Sequence, residues 1–151
     1  MNSIAPNITS VDLAKYAGKW HVIACIPTEF DKEWNYTVEN YTLNKSGYFD
    51  IETTYFQEGA KEQSVLKYKG YPGKESNFIK WKMQYVWPFK TDYQIEHLAP
   101  DYSTAIVGHP EKKFLYIMSR SSRLSEEKYI ELLTECGKRG YDLTKLRKVP
   151  Q

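Results

Sequence analysis

Glu39 and the tyrosines near it have the most chemistry to offer. In the run Thr37–Leu43, Thr37, Glu39 and Tyr41 alternate with Val38, Asn40 and Thr42, so in an extended strand they share one face. If that face turns into an interior, a carboxylate stands in an upper cavity among phenol rings, where burial raises its pKa unless hydroxyls or a cation compensate. Such a group can receive a choline- or ethanolamine-like head over aromatic rings, or hydrogen-bond a ligand carboxyl. A one-residue slip or bulge would instead turn Glu39 to solvent. The chain carries 13 Tyr and four Trp within an aromatic content of 15%. Phenols in that number must pair along strands or line something, because each buried hydroxyl needs a partner.

The other reactive residue types are sparse. His97 reads as a lone inward histidine at a closed end, a hydrogen-bonded core residue rather than a haem ligand, with no second ligand near it. Cys25 and Cys136 lie too far apart for a metal or redox motif. Cys25 reads as outward and Cys136 as part of a helix stripe, so the two approach each other under that helix, and neither faces a cavity as a catalytic thiol would. Neither a catalytic residue, a metal site nor a cofactor is expected. The only acid–base pairing on offer is Glu39 with a tyrosine or His97, which an isomerase-like barrel would need.

Length and charge restrict what can position these groups. With 151 residues and 41% hydrophobic content, the chain fits one domain over 1–151 with its own core. Lys+Arg 21 against Asp+Glu 19 gives a net charge of +2, far short of what phosphate neutralisation along a nucleic acid requires. No stretch reaches the ~18 to 20 apolar residues of a membrane span. Met1 to Trp20 lacks the apolar core of a secretory signal, so the chain reads as soluble.

Short runs rich in Tyr, Thr, Val and Ile recur between turn residues, the rhythm of an all-β sandwich or barrel. The runs are Lys19–Ile26, Thr37–Leu43, Tyr48–Phe56, Ser64–Tyr71, Phe78–Tyr85, Asp92–Leu98, Thr104–Gly108 and Phe114–Arg120. One helix follows, from Ser125 to about Arg139. Ser125 caps it, Tyr129, Leu132, Leu133 and Cys136 form its apolar stripe, and Gly140 ends it. The middle strands alternate cleanly, so one face is wet. The first strand and the last two are apolar on both faces and need cover outside as well as inside. In a meander that closes on itself those three strands are contiguous, and the helix stripe fits the patch they make. The expected architecture is therefore an eight-stranded antiparallel up-and-down β-barrel, about 18–120, with one C-terminal helix packed outside, about 125–139.

Strand parity then sorts the interior. Val22, Ala24, Glu39, Tyr41, Thr53, Tyr55, Leu66, Tyr68, Trp81, Met83, Tyr85, Tyr93, Ile95, Ile106, Phe114 and Tyr116 read as inward and as the ligand-binding set. Ala24, Thr53, Gly70 and Gly108 leave gaps among them. Six phenols are too many for a dry core, which favours a cavity holding water or an amphipathic ligand. The loops opposite the barrel floor carry Phe30, Trp34, Trp87 and Phe89, exposed aromatics at a mouth, suited to ligand capture or to a lipid surface. They could equally pack on one another as a lid. Lys67, Lys69, Lys80 and Lys82, with Lys74 at the turn, form a basic stripe on one outer hairpin, ordinarily a solvated surface.

Three motifs in order carry a family resemblance over nearly the whole chain. Gly18-Lys19-Trp20 heads the first strand, Asp101-Tyr102-Ser103-Thr104-Ala105-Ile106-Val107 precedes and enters the seventh, and Tyr116-Ile117-Met118-Ser119-Arg120 ends the eighth. Together they resemble the lipocalins, nearest to the bacterial outer-membrane lipocalins and relatives of apolipoprotein D. The Trp87-Pro88-Phe89 turn is similar to the Gly-Pro-Phe of those proteins. The resemblance implies a structural floor made by Gly18, Trp20 and Arg120. The topology agrees, because eight alternating strands bring Trp20 and Arg120 to the same end, where a guanidinium over an indole contributes roughly 0.5 to 2 kcal/mol.

The resemblance also implies a function: binding or transport of a small hydrophobic or amphipathic molecule, fatty acids and lysophospholipids first, with a periplasmic or outer-membrane-associated location. This sequence lacks the lipoprotein signal and its lipidated cysteine. The expected partners are a small lipophilic ligand and a membrane surface, with a homo-oligomer left open and no nucleic acid. An enzyme on the same barrel, or a protein-interaction module using the aromatic rim of a filled barrel, are the competing classes.

Overall fold

The wet-face alternation of the middle strands and the doubly apolar first, seventh and eighth strands produce the arrangement seen in the computed structural model, which describes residues 4–151. The first three positions of the expected 1–151 span lie outside the described residues. In chain order the elements are α1 (Leu13–Tyr16), β1 (Gly18–Ile26), β2 (Trp34–Leu43), β3 (Phe49–Gln57), β4 (Ser64–Pro72), β5 (Lys80–Val86), β6 (Phe89–Leu98), β7 (Thr104–Gly108), β8 (Leu115–Ser119), α2 (Glu126–Lys138) and β9 (Arg147–Lys148). Strands β1 to β8 pair antiparallel in sequence order, and β1 also pairs with β8, which closes an up-and-down barrel. The strand expected from Phe78 starts at Lys80, because Asn77 and Phe78 adopt left-handed φ values of 56° and 68° that no strand continues.

Helix α2 covers the strands that needed cover. Ser125 caps it by accepting from Lys128 N at 3.1 Å, with Glu126 and Glu127 in the first turn and Lys138 in the last complementing the helix dipole. Its Leu132 and Cys136 pack on Ile23, Ala24, Ile26, Ile106, Leu115 and Ile117 from β1, β7 and β8.

Two bulges in these strands alter the expected parity. In β1 the register with β8 slips between Val22 and Ala24, so Ile23 and Ala24 both turn outward beneath α2 and Cys25 turns inward beside Val22 and Val149. Ala24 therefore lines no cavity, and Cys25 and Cys136 sit in different clusters on opposite faces of the sheet as free buried thiols. In β6 the register with β7 slips between Ile95 and His97. Ile95 and Leu98 stay inside, while His97 pairs with Ile106 on the outer face, close to Glu135 and Arg139 of the α2 end. His97 is thus not an inward residue at the closed end.

Strand β7 runs in the parity opposite to that expected. Ala105 and Val107 belong to the interior and Ile106 to the layer under α2. Both faces of β7 are apolar and buried, so alternation held no information about which side was which. Gly108 also faces outward, where a Cβ would fall on the Tyr141 hydroxyl and Glu96 Oε2. The glycine makes room for the buried hydrogen bond that Tyr141 donates to Glu96. Of the expected interior gaps, Ala24 and Gly108 are outside, and the space at Gly70 is filled to contact by Ile51, Met83 and Trp81.

Barrel closure is incomplete along β1. Only Gly18 to His21 pair with β2, and above them β9 pairs Ala24 with Lys148 and Cys25 with Arg147. Arg147 then donates to Trp34 O at 2.7 Å, and Tyr36 N donates to Pro150 O at 2.9 Å. The C-terminal segment thereby fills the seam between β1 and β2.

At the floor, the Arg120 guanidinium lies 3.8 Å from the Trp20 ring centroid. It donates to the carbonyls of Lys19 at 2.9 Å, Lys15 at 2.7 Å and Tyr102 at 3.1 Å. Gly18, at φ 104°, leaves 3.3 Å between a would-be Cβ and this guanidinium. The floor constellation therefore has the geometry that the strand directions implied.

Candidate ligand-binding site

Above this floor a layer of aromatic side chains packs the lower barrel. Trp81 stacks on Phe49 at 5.0 Å and 6°, Tyr16 of α1 meets Trp20 and Trp81 at 5.3 Å each, and Ile95 is fully enclosed with them. Trp81 and Ile95 fill the barrel rather than line a void. Above them opens a cavity of about 250 Å³, just below the ~300 to 1,000 Å³ usual for small-ligand pockets.

The cavity wall brings together Glu39, Tyr41, Leu66, Tyr68, Met83, Tyr85, Tyr93, Phe114 and Tyr116 from the expected set, with Phe30 and Trp34 from the expected mouth. Val22 borders a side recess of about 20 Å³ shared with Glu39 and Tyr116. Thr53 sits behind the wall, its hydroxyl 2.8 Å from that of Tyr68. Tyr55 stacks on Trp34 with centroids 3.6 Å apart, and Phe30 meets the same indole edge-on at 5.3 Å. Trp34 is consequently only 8% exposed and is the one expected mouth residue that is packed away. The other three remain exposed, Phe30 at 62% beside it and Trp87 at 81% and Phe89 at 74% at the β5–β6 turn.

Glu39 faces inward, but lower than expected. It is opposite Trp20 in the β1–β2 register. The bulge between Asn35 and Val38, with Tyr36 at φ 52°, sits earlier in the strand and leaves Glu39 on the inner face. Tyr41 donates to Glu39 Oε1 at 2.8 Å, the Tyr41 and Tyr93 hydroxyls are 3.1 Å apart, and Tyr93 and Tyr16 are 2.6 Å apart. A carboxyl and three phenols thus form one hydrogen-bonded chain down to the floor. Burial raises the Glu39 pKa to about 7, the Tyr41 hydrogen bond opposes the shift, and the charge of Asp31 adds to it. Burial also raises Tyr41, Tyr68, Tyr93 and Tyr116, so these phenols remain neutral donors at physiological pH.

Several residues of the wall were not anticipated. Asp31 lies in the β1–β2 loop, held by Thr28, whose N and Oγ1 donate to Oδ1 at 2.8 and 3.0 Å, and it accepts a hydrogen bond from the Tyr116 hydroxyl. The Thr-x-x-Asp spacing was the available signal, since that pattern builds a local side-chain-to-backbone turn. Thr91, Val107, His109 and Lys113 complete the rim and wall. Val107 lies on the face opposite to the one that an inward Ile106 predicts for it, and His109 and Lys113 lie in a turn whose inward reach no periodicity reports. Tyr16 comes from a helix of four residues, too short for a helical pattern to register.

The barrel, the crossed Trp20–Arg120 floor and the outer helix accord with the comparison to known families: the lipocalin-like domain model matches residues 11–151. The chain belongs to the lipocalin family. Temperature-induced lipocalin-1 of Arabidopsis thaliana is 32% identical to it, over 95% of this chain and 81% of the relative. Outer membrane lipoprotein Blc of Escherichia coli K12 is 26% identical, over 95% of this chain and 81% of the relative. Among solved structures, lobster apocrustacyanin A1 matches 100% of this lipocalin and 92% of its own chain, with a TM-score of 0.72 at 19% identity. Insecticyanin from the tobacco hornworm Manduca sexta matches 100% of this chain and 88% of its own, with a TM-score of 0.73 at 18% identity. The structural neighbours bear on the fold alone. Lipocalins bind small hydrophobic ligands and are in general binding and transport proteins rather than enzymes.

Proposed function

We propose that this lipocalin binds one single-chain amphipathic molecule inside the barrel, with fatty acids and lysophospholipids as the first classes to test. The observation that carries this is the cavity itself, where apolar Leu66, Met83, Val107 and Phe114 share a wall with phenols and two carboxyl groups. Burying a ligand chain there contributes roughly 25 cal/mol per Å² of apolar surface. The phenols and Glu39 orient the polar end, and Tyr68, Tyr85, Tyr93 and Tyr116 with Asp31 complete the binding set. The competing rim-only interaction module called for a filled barrel, which a cavity of about 250 Å³ does not match.

The exposed Val86, Trp87 and Phe89, followed by Lys90, suit contact with a lipid surface from which the ligand enters, because indole and phenyl rings partition to apolar–water boundaries and lysines favour anionic head groups. Several relatives are outer membrane lipoproteins by name, which supports a periplasmic or outer-membrane-associated site of action. No helix among the described residues is long and apolar enough to cross a membrane. Native mass spectrometry of the purified protein, followed by organic extraction and lipid analysis, tests the proposal. A lipid adduct of single-chain mass supports it. A protein that is empty as purified and refuses added fatty acid and lysophospholipid overturns it.

A further inference from the structure

The charge lining the cavity is one-sided. Glu39 and Asp31 both present carboxyl groups to it, while its only lysine among the described residues, Lys113, stands at the rim with its side chain 66% exposed, 3.6 Å from Glu111. His109, the remaining titratable cation former on the wall, uses Nδ1 to accept from Glu111 N at 3.0 Å. Asp31 is satisfied by Thr28 and Tyr116. Glu39 is not: among the described residues its one hydrogen-bond donor is Tyr41, on Oε1. Among the described residues Oε2 has no protein donor, and no lysine or arginine charge offsets this part-buried group. Oε2 opens to the cavity, where water can donate to it, and a bound group that brings a positive charge offsets the carboxylate charge more fully than water does.

The tyrosine rings that share the cavity wall with Glu39 supply the second half of a recognition site. Tyr41, Tyr68, Tyr93 and Tyr116 line the same cavity as Glu39, and aromatic rings sharing a site with a carboxylate can stabilise an alkylammonium ion. A fatty-acid carboxylate placed at the same depth would meet Glu39 and Asp31 with like charge.

We propose that the cavity selects amphipaths whose single alkyl chain ends in a positively charged nitrogen, either a primary ammonium or a choline-type quaternary ammonium, with that nitrogen seated between Glu39 and the tyrosine rings. The inference rests on the barrel-binding function proposed above and narrows it by head-group charge. A primary ammonium donates directly to Glu39 Oε2. A quaternary ammonium has no donor and depends on the rings and the carboxylate charge.

The test is competition for the cavity at pH 8, using the neutral fluorescent reporter N-phenyl-1-naphthylamine. The competitors are dodecylamine, dodecyltrimethylammonium, dodecanol and dodecanoate, equal in chain length and used below their micelle-forming concentrations. The expected result is that one or both cations displace the reporter at least about tenfold more tightly than dodecanol, with dodecanoate weakest. Selection of dodecylamine alone assigns the site to primary amines; equal selection of the quaternary ion assigns it to choline-type heads. Glu39→Gln reduces the ratio of cation to alcohol affinity about tenfold. If that variant fails to fold, the wild-type ratio at pH 5, where the carboxyl is protonated and the amine still charged, gives the same reading. The inference is overturned if dodecanol or dodecanoate binds as tightly as the cations, or if the ratio is indifferent to both Glu39→Gln and pH. If the reporter and all four competitors fail to bind, the barrel-binding proposal itself falls.

Discussion

Tyr41 donates a 2.8 Å hydrogen bond to Glu39, and the pair sits at the head of a phenol chain that ends at Tyr16 in the aromatic layer on the barrel floor. A carboxyl held this way has a pKa of about 7 against an ordinary value of 4.5, chiefly because burial disfavours its charge. The folded protein therefore binds a proton that the unfolded chain has already released between about pH 4.5 and 7. Stability from this group is present at low pH and is lost as pH rises through that window. Urea denaturation at pH 5 and pH 8 should show wild type losing more stability than Glu39→Gln, by on the order of 2 to 3 kcal/mol. Equal losses in the two proteins would mean that Glu39 is solvated and ordinary.

The floor makes a second prediction. Arg120 combines the stacked Trp20 indole with hydrogen bonds to the Lys15, Lys19 and Tyr102 carbonyls. Lysine cannot reproduce that planar fork. Arg120→Lys should lower stability by about 1 to 2 kcal/mol and Arg120→Ala by about 2 to 4 kcal/mol, read from chemical denaturation midpoints. A shift within error for Arg120→Ala would show the floor to be ornamental.

Gly108 predicts a coupling across the outer face. A methyl at this position displaces the Tyr141 hydroxyl from Glu96, leaving buried Glu96 to a long hydrogen bond from Gln94 Nε2 at 3.5 Å and to Arg139, whose nearest guanidinium nitrogen is 4.0 Å away. Gly108→Ala should cost about 1 to 3 kcal/mol. In a Tyr141→Phe background the same substitution should cost less, because the hydroxyl it collides with is gone. A double-mutant cycle on the four proteins measures the difference, and strict additivity would refute the coupling.

How much of this was legible before the structure depended on whether a strand had a wet face. Ile51 and Tyr68 alternate with Glu52 and Lys67, so polar residues marked the outside, and the interior side of β3, β4 and β5 followed directly from the sequence. β7 has no polar residue in its Ala105–Gly108 stretch to mark either face, and its parity came out reversed at Ile106. The bulges that moved Ala24 and His97 depend on tertiary demand: α2 needs Ile23 and Ala24 together beneath it, and no local residue type announces that. The Trp20–Arg120 meeting needed only the parity of strand directions. Asp31 and Lys113 reach the cavity from loops, where side-chain direction follows turn geometry instead of any period.

The open part of the mouth predicts surface binding. Trp87 and Phe89 are exposed on a turn and support no packing that folding needs, so the double substitution Trp87→Ser with Phe89→Ser should leave the thermal midpoint within about 2 °C. Co-sedimentation with vesicles containing anionic lipid should fall about tenfold or more, since the two large rings account for most of the apolar area the turn offers. Unchanged co-sedimentation would remove the lipid-surface proposal and leave the barrel proposal intact.

The central claim, that the barrel holds one amphipathic ligand above the aromatic floor, is tested most directly by native mass spectrometry of wild type and Leu66→Trp titrated with a lysophospholipid and a fatty acid. Leu66 is on the cavity wall, and an indole there occupies the space a ligand chain would take. The account predicts a saturable one-to-one complex for wild type with at least one of the two lipids, weakened about tenfold or more in Leu66→Trp. Absence of any complex, or adducts that are multiple and indifferent to the filled cavity, would contradict it.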